Sequence, residues 1–265
     1  MFDSHCHLTA ARFDADRDAV VARMQAAGVR GCLSIGTGAA DARAARALSQ
    51  RYRGLVWAAA GLDPFTLAQC ADQEAALQEL AALLDAGGFV ALGECGIEYH
   101  HPLLPPAAQA ERFRAQAELA RARGLPLIVH ARSGRHGGDA HQAAQAVVRA
   151  VGGLRGVIHS FDGDWAQARA WLDLGFHVAI NGMVTYRGRD ALRAAVQRLP
   201  ADRLLLETDA PYLAPEPERG RRCEMAHAAR TAEAIAELRG ERVADVGAWA
   251  GRNAELLFGI RLGDR

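Results

Sequence analysis

Half of this 265-residue chain is apolar, enough to bury a large core, and its 31 basic side chains balance 31 acidic ones to a formal net charge of zero. That balance excludes a broadly cationic nucleic-acid or membrane surface, so any anion-binding charge has to be local. Every fixed cation is arginine, and the absence of lysine excludes Schiff-base, lysine-nucleophile and carboxylated-lysine chemistry.

Taken in chain order, eight short apolar runs read as strands: MFDSH, GCLSIG, LVWAAAG, FVALGE, PLIVH, RGVIHS, HVAIN and RLLLET. Amphipathic stretches lie between them at 17–27, 39–52, 73–85, 107–123, 139–151, 165–174 and 188–199, and two more follow the last strand at 223–238 and 243–258. Gly28, Gly87, Gly124 and Gly175 each close a helical stretch where a C-cap belongs. Repeated alternation of this kind predicts one domain over residues 1–265, of class α/β: a single (β/α)8 TIM-type barrel with an extra C-terminal helix. There is no G-x-G-x-x-G and no P-loop. Cys6, Cys32, Cys70, Cys95 and Cys223 are scattered and never spaced C-x-x-C, so neither a zinc knuckle nor a disulfide framework is expected. No run reaches the roughly 18 apolar residues of a membrane span, and no leader-like segment precedes His5, so a cytoplasmic protein without a membrane or obligate protein partner is expected.

Candidate metal ligands recur at the ends of these strands. His5 and His7 follow the first, Glu94 the fourth, His130 and His159 the fifth and sixth, and Asp209 the eighth. Strands of a barrel deliver their C-terminal ends to one rim, so these six can meet there. His5 and His7 are two apart and face one way, leaving Cys6 to face the other. Imidazole suits zinc and related ions, and a carboxylate such as Glu94 has two oxygens with which to bridge two cations. Glu207, two before Asp209, is a candidate partner behind a ligand. Two divalent ions would lower the pKa of a water and polarise an electrophile, with Asp209 placed to take the proton and Glu94 between the ions. G-x-S-x-G is absent, which leaves a covalent serine mechanism without a foothold. Arg132, two after His130, is the best cation for a phosphate, with Arg219, Arg221 and Arg222 as further candidates. Tyr99, Phe161 and Tyr212 fall in mouth loops where a base can stack. His100, His101, His136 and His141 read as exposed loop histidines.

FDSHCHL, GECGIEY, VHAR, GVIHSF and LETDAPYLAP, collinear from residue 2 to about residue 258, resemble the signature motifs of the TatD family of metal-dependent hydrolases and deoxyribonucleases. The resemblance implies a barrel of the amidohydrolase superfamily that hydrolyses phosphodiesters, trimming DNA from 3′ ends with magnesium, manganese or zinc. It also implies one ion on His5, His7, Glu94 and Asp209, and a second on Glu94, His130 and His159. Three places depart from the family pattern. Gly61-Leu62-Asp63-Pro64 puts an acid where G-x-H-P has a substrate-facing histidine, Arg222-Cys223-Glu224-Met225 replaces R-N-E-P, and Gly96-Ile97-Glu98-Tyr99 replaces G-L-D-Y. Neutral net charge favours a pocket for strand ends over a long duplex groove. Two rival readings stay open: an ester or amide hydrolase such as a D-aminoacyl-tRNA deacylase, with Asp63 pairing a substrate amine, and a binding barrel without turnover.

Overall fold

The computed structural model describes residues 1–101, 103–134 and 138–263, so His136 lies outside the described residues. Its strands are β1 (Asp3–Cys6), β2 (Cys32–Thr37), β3 (Val56–Gly61), β4 (Ala91–Glu98), β5 (Leu127–Arg132), β6 (Gly156–Ile158), β7 (His177–Ile180) and β8 (Leu204–Leu206). All pair in parallel and in sequential order. The ring closes where Cys6 bridges Ala210. There the His7 N–H donates to the Ala210 carbonyl at 2.7 Å and the Asp209 N–H to the His5 carbonyl at 2.9 Å. The helices are α1 (Arg17–Ala26), α2 (Ala39–Arg51), α3 (Pro64–Gln69), α4 (Gln73–Asp85), α5 (Pro106–Arg123), α6 (Ala140–Val151), α7 (Trp165–Asp173), α8 (Asp190–Arg198), α9 (Ala228–Arg239) and α10 (Val243–Phe258). The molecule is the expected (β/α)8 barrel, and α10 is its extra helix.

The strands are apolar on both faces because both are covered. Inside the barrel, towards the strand N-termini, Leu33, Ile35, Ile128, Val157 and Leu205 pack around Phe2, while Leu257, Phe258 and Ile260 from the end of α10 join that cluster. Outside, α1 packs Val20, Val21 and Met24 onto Cys6, Cys32 and Val56. Cys6 thus faces away from its flanking histidines, its Sγ directed at the Leu33 carbonyl.

Three local features differ from the expected pattern. The short helix α3 has no apolar periodicity of its own, and Asp63 starts it as N-cap by accepting from the Thr66 N–H at 3.0 Å, with Pro64 in the first turn. Strand β4 does not end at Glu94 but runs four residues further, with an irregularity in its register against β5 between Leu92 and Cys95. Strand β8 stops at Leu206, so Asp209 lies beyond it with φ of +60°. Strand alternation therefore does not orient Asp209. Asp3 does part of that work: it accepts from the Thr208 N–H (2.9 Å) and the Thr208 hydroxyl (2.6 Å), and from the His5 N–H (3.2 Å).

Among the described residues, no helix is long and apolar enough to cross a membrane.

Candidate metal centre

Glu94 stands at the centre of the site. Its Oε2 lies 3.3 Å from His5 Nε2 and 3.9 Å from His7 Nε2. Its Oε1 lies 2.8 Å from His130 Nδ1 and 3.1 Å from His159 Nε2. Asp209 Oδ1 approaches the first pair, 3.3 Å from His7 Nε2 and 3.7 Å from His5 Nε2. Ligand atoms of His5, His7 and Glu94 lie within 4.8 Å of one another; so do those of Glu94, His130 and His159, and those of His5, His159 and Asp209. All six strand-end candidates are thus brought together, although they come from five different strands or strand tails.

The backs of the rings are held as well. His130 Nε2 bonds Glu98 Oε2 at 3.1 Å, and Glu98 Oε1 accepts from the His100 and His101 N–H groups. Behind His159, Nδ1 lies 3.6 Å from Glu207 Oε1, which also accepts from the Ser160 N–H (2.6 Å) and the Asn181 amide (3.3 Å). The Gly96–His130 pairing of β4 and β5 brings the two main chains so close that a Cβ on Gly96 would meet the His130 carbonyl oxygen at 1.9 Å. Only glycine fits there.

Electrostatics follow from burial and proximity. Burial pushes Glu94 up, but His159, His130 and His5 around it outweigh burial and hold it well below the usual carboxylate range. Burial likewise pushes His130 down, yet Glu94 and Glu98 raise it to about 9. His159 is raised well above an ordinary histidine by Glu94 and Glu207 against the same opposing burial. His5 goes the other way, lowered by burial and then by His159, on whose ring its own is stacked at 3.8 Å. Neither ring nitrogen of His5 has a hydrogen-bond partner, although Nε2 is near two carboxylates. A fully buried imidazole aimed between carboxylates without bonding either fits a cation at their shared focus. The nitrogen and oxygen donor set also suits a divalent ion.

A cavity of about 800 Å³ opens over these six side chains. Arg132 lines it, exposed at the end of β5, as do Asp63 and Arg219. Arg222 does not reach it. Its guanidinium is engaged by Asp16 at 2.7 Å, by Glu224 at 2.7 Å and by the Arg12 carbonyl, which ties the loop after β8 to the start of α1. The substrate contact expected at Arg222 would have to draw on a guanidinium already shared between Asp16 and Glu224. Arg221 is paired with Glu218. Asp63 remains a cavity wall at 9% exposure, raised above the usual carboxylate range by burial and by Glu94.

Of the aromatic candidates, Tyr212 is 53% exposed and lines the cavity, its ring edge-on to His7 at 6.0 Å. Phe161 is buried beside His141. His141 is no exposed loop residue: it lies buried in the first turn of α6, and its Nδ1 accepts from the Trp171 indole at 3.1 Å. Asn181 and Glu98 were not singled out from sequence. The strand-end rule applied to HVAIN would have found Asn181, whereas Glu98 stands in sequence only as the acid of Gly96-Ile97-Glu98-Tyr99, and its place behind His130 needs the extended course of β4.

The family model described as TatD related DNase matches residues 2–259. A protein named 3′-5′ ssDNA/RNA exonuclease TatD from Erwinia billingiae is 37% identical, covering 97% of this chain and 98% of its own. An uncharacterized metal-dependent hydrolase, YabD, from Bacillus subtilis is 32% identical over 98% of this chain and 99% of its own. Among solved structures, the TatD homologue YJJV from Escherichia coli K12 is similar at a TM-score of 0.88 and 28% identity, covering 98% of both chains. With the fold, the ligand positions and these likenesses running nearly end to end, the chain belongs to the TatD related DNase family.

Proposed function

We propose that this protein is a two-metal phosphodiesterase that trims single-stranded DNA or RNA from the 3′ end, acting as one catalytic domain. The observation that carries the reading is Glu94, whose two oxygens each face a different pair of histidines. His5, His7 and Asp209 would hold one ion with Glu94, and His130 and His159 the other, as magnesium, manganese or zinc. Two such ions, when bound, supply polarisation of the phosphoryl oxygen and a water of lowered pKa. Asp209 accepts the proton of the attacking water through the carboxylate it presents beside His7. Glu98 and Glu207 hold His130 and His159 from behind, which keeps the inward nitrogens free as ligands. Arg132 binds the non-bridging phosphate oxygens from the end of β5. Tyr212 offers a face on which a base of the substrate stacks. The end-on cavity and neutral net charge favour strand ends over a duplex groove.

The test is a 3′-labelled single-stranded oligonucleotide incubated with protein in magnesium, manganese or zinc, beside an aminoacyl ester. Label released as mononucleotide supports the reading, with Asp209→Asn slower by about 10²–10⁴-fold. Ester cleavage with an intact oligonucleotide would assign the barrel to acyl chemistry instead, with Asp63 as the amine partner. No turnover of either would leave a binding barrel.

A further inference from the structure

Charge around the cavity mouth is divided into two halves. On the side of β2 and β3 the wall carries Asp41 and Asp63. Both carboxylates are fixed, Asp41 by the Thr37 N–H at 3.0 Å and Asp63 by the Thr66 N–H at 3.0 Å. No arginine among the described lining residues comes from that side. The other side presents Arg189 and Arg219 from the loops after β7 and β8, in addition to Arg132, with one acid, Asp162, among them, so that side carries three arginines to one carboxylate of the cavity wall.

Arg189 and Arg219 are positioned in advance. Arg189 Nη1 lies 3.2 Å from Asp162 Oδ2 and its Nη2 lies 3.8 Å from Met183 Sδ. The Arg219 guanidinium stacks on the Tyr186 ring at 4.3 Å, with Glu216 3.7 Å from its Nη1. Stacking fixes the guanidinium plane and leaves N–H edges for an oxyanion. Each arginine has one carboxylate neighbour, so neither is enclosed as Arg222 is by Asp16 and Glu224.

We propose that Arg189 and Arg219 form a second phosphate subsite. It takes the phosphate next to the scissile one on the retained strand, while the Asp41–Asp63 wall takes a terminal nucleoside bearing no further phosphate. A polyanion then has one favourable direction across the cavity, because only one wall offers counter-charge. The inference rests on the nuclease reading above and deepens it, since it says which residues tell the chain from its end.

Three substrates test it with the full-length protein in saturating manganese: a thymidine dinucleotide with one phosphate, a trinucleotide with two, and the trinucleotide with a 3′-terminal phosphate. The expected kcat/KM of the trinucleotide exceeds that of the dinucleotide by about tenfold, the scale of one charge-assisted contact, and the 3′-phosphate abolishes the gain. The trinucleotide-to-dinucleotide ratio falls towards one in Arg189→Ala and Arg219→Ala, and reaches it in the double variant. Each ratio is internal to one preparation, so loss of folded protein or metal cancels. A wild-type ratio near one, or a ratio preserved in the double variant, overturns the subsite while the nuclease reading stands. Cleavage of none of the three in any divalent metal overturns both.

Discussion

Gly96→Ala tests whether the site depends on the close approach of β4 to β5. Gly96 has φ of +151°, and an added Cβ would lie 1.9 Å from the His130 carbonyl oxygen. That oxygen is main chain and cannot swing aside, so reaching 3.0 Å requires the strands to part by about 1.1 Å. Overpacking of this kind costs about 1–3 kcal/mol, and a side chain at this φ adds about 1–3 kcal/mol, so a loss of about 2–6 kcal/mol is expected. The same displacement moves His130 relative to Glu94, and a misplacement of about 1 Å in a reacting site costs about 10²-fold in rate. Gly124→Ala is the control. Gly124 also has positive φ, +64°, but caps α5 with no atom within 4 Å of an added Cβ, so about 1 kcal/mol is lost and turnover stays unchanged. Urea unfolding and oligonucleotide hydrolysis at saturating metal measure both quantities. If Gly96→Ala kept activity within about threefold of the wild type, the strand register would not be what places Glu94 against His130.

Glu98→Gln keeps the shape behind His130 and removes the charge; metal affinity falls by about 10–100-fold and excess metal restores kcat. A metal titration that matched wild type while kcat stayed low would contradict a positioning role for Glu98. Chelation abolishes hydrolysis and, with ions normally near saturation, lowers Tm by roughly 5 °C in calorimetry; an unchanged Tm would mean that the ions contribute nothing to the fold. His177, at the start of β7 and 9% exposed, has its pKa pushed down to about 4 by burial and by Arg203. The unfolded chain takes up this proton near 6.5 and the native one only near 4, so the stabilising effect is whole above pH 6.5 and is lost as pH falls towards 4, by about 3 kcal/mol. His177→Gln flattens the Tm profile across that window; identical acid slopes in the two proteins would refute it.

Much of this architecture was legible because a barrel strand covered on both faces is a largely apolar run, and six of the eight such runs end in polar residues. His5, His7, His130 and His159 were found on that ground. Glu94 stands out as a candidate too, although its strand does not end there but continues to Glu98. What stayed hidden depends on contacts between distant segments. Arg222 looked like a free cation, since nothing local shows that Asp16, more than two hundred residues away, holds it. His141 looked exposed because α6 begins one residue before it, and its partner Trp171 belongs to another helix. Asp63 looked like a pure substrate contact, whereas its carboxylate also starts α3.

The polar upper half of the barrel imposes a charge balance that the apolar lower half does not. Asp3, with its pKa pushed up to about 8 by burial, need not carry charge near neutral pH, and it serves instead to stitch the β8 tail to β1. Glu94, Glu98, Glu207 and Asp209 remain, crowded among four histidines, of which His5 is lowered by burial and His159 and therefore favours the neutral form. Of the cavity's arginines, Arg189 and Arg219 pair instead with Asp162 and Glu216. Without ions, His130 and His159, both raised above an ordinary histidine, have to supply the counter-charge from buried positions that disfavour it, and a ring nitrogen such as His5 Nε2 without a bond is a second cost. Divalent cations, if held between Glu94, Asp209 and the histidines, would relieve both at once. Glu98 bonds the ring nitrogen behind His130 and Glu207 lies 3.6 Å behind His159, so on the proposed reading Asp209, held at φ of +60° on an irregular tail, would be the carboxylate left to exchange a proton with substrate water.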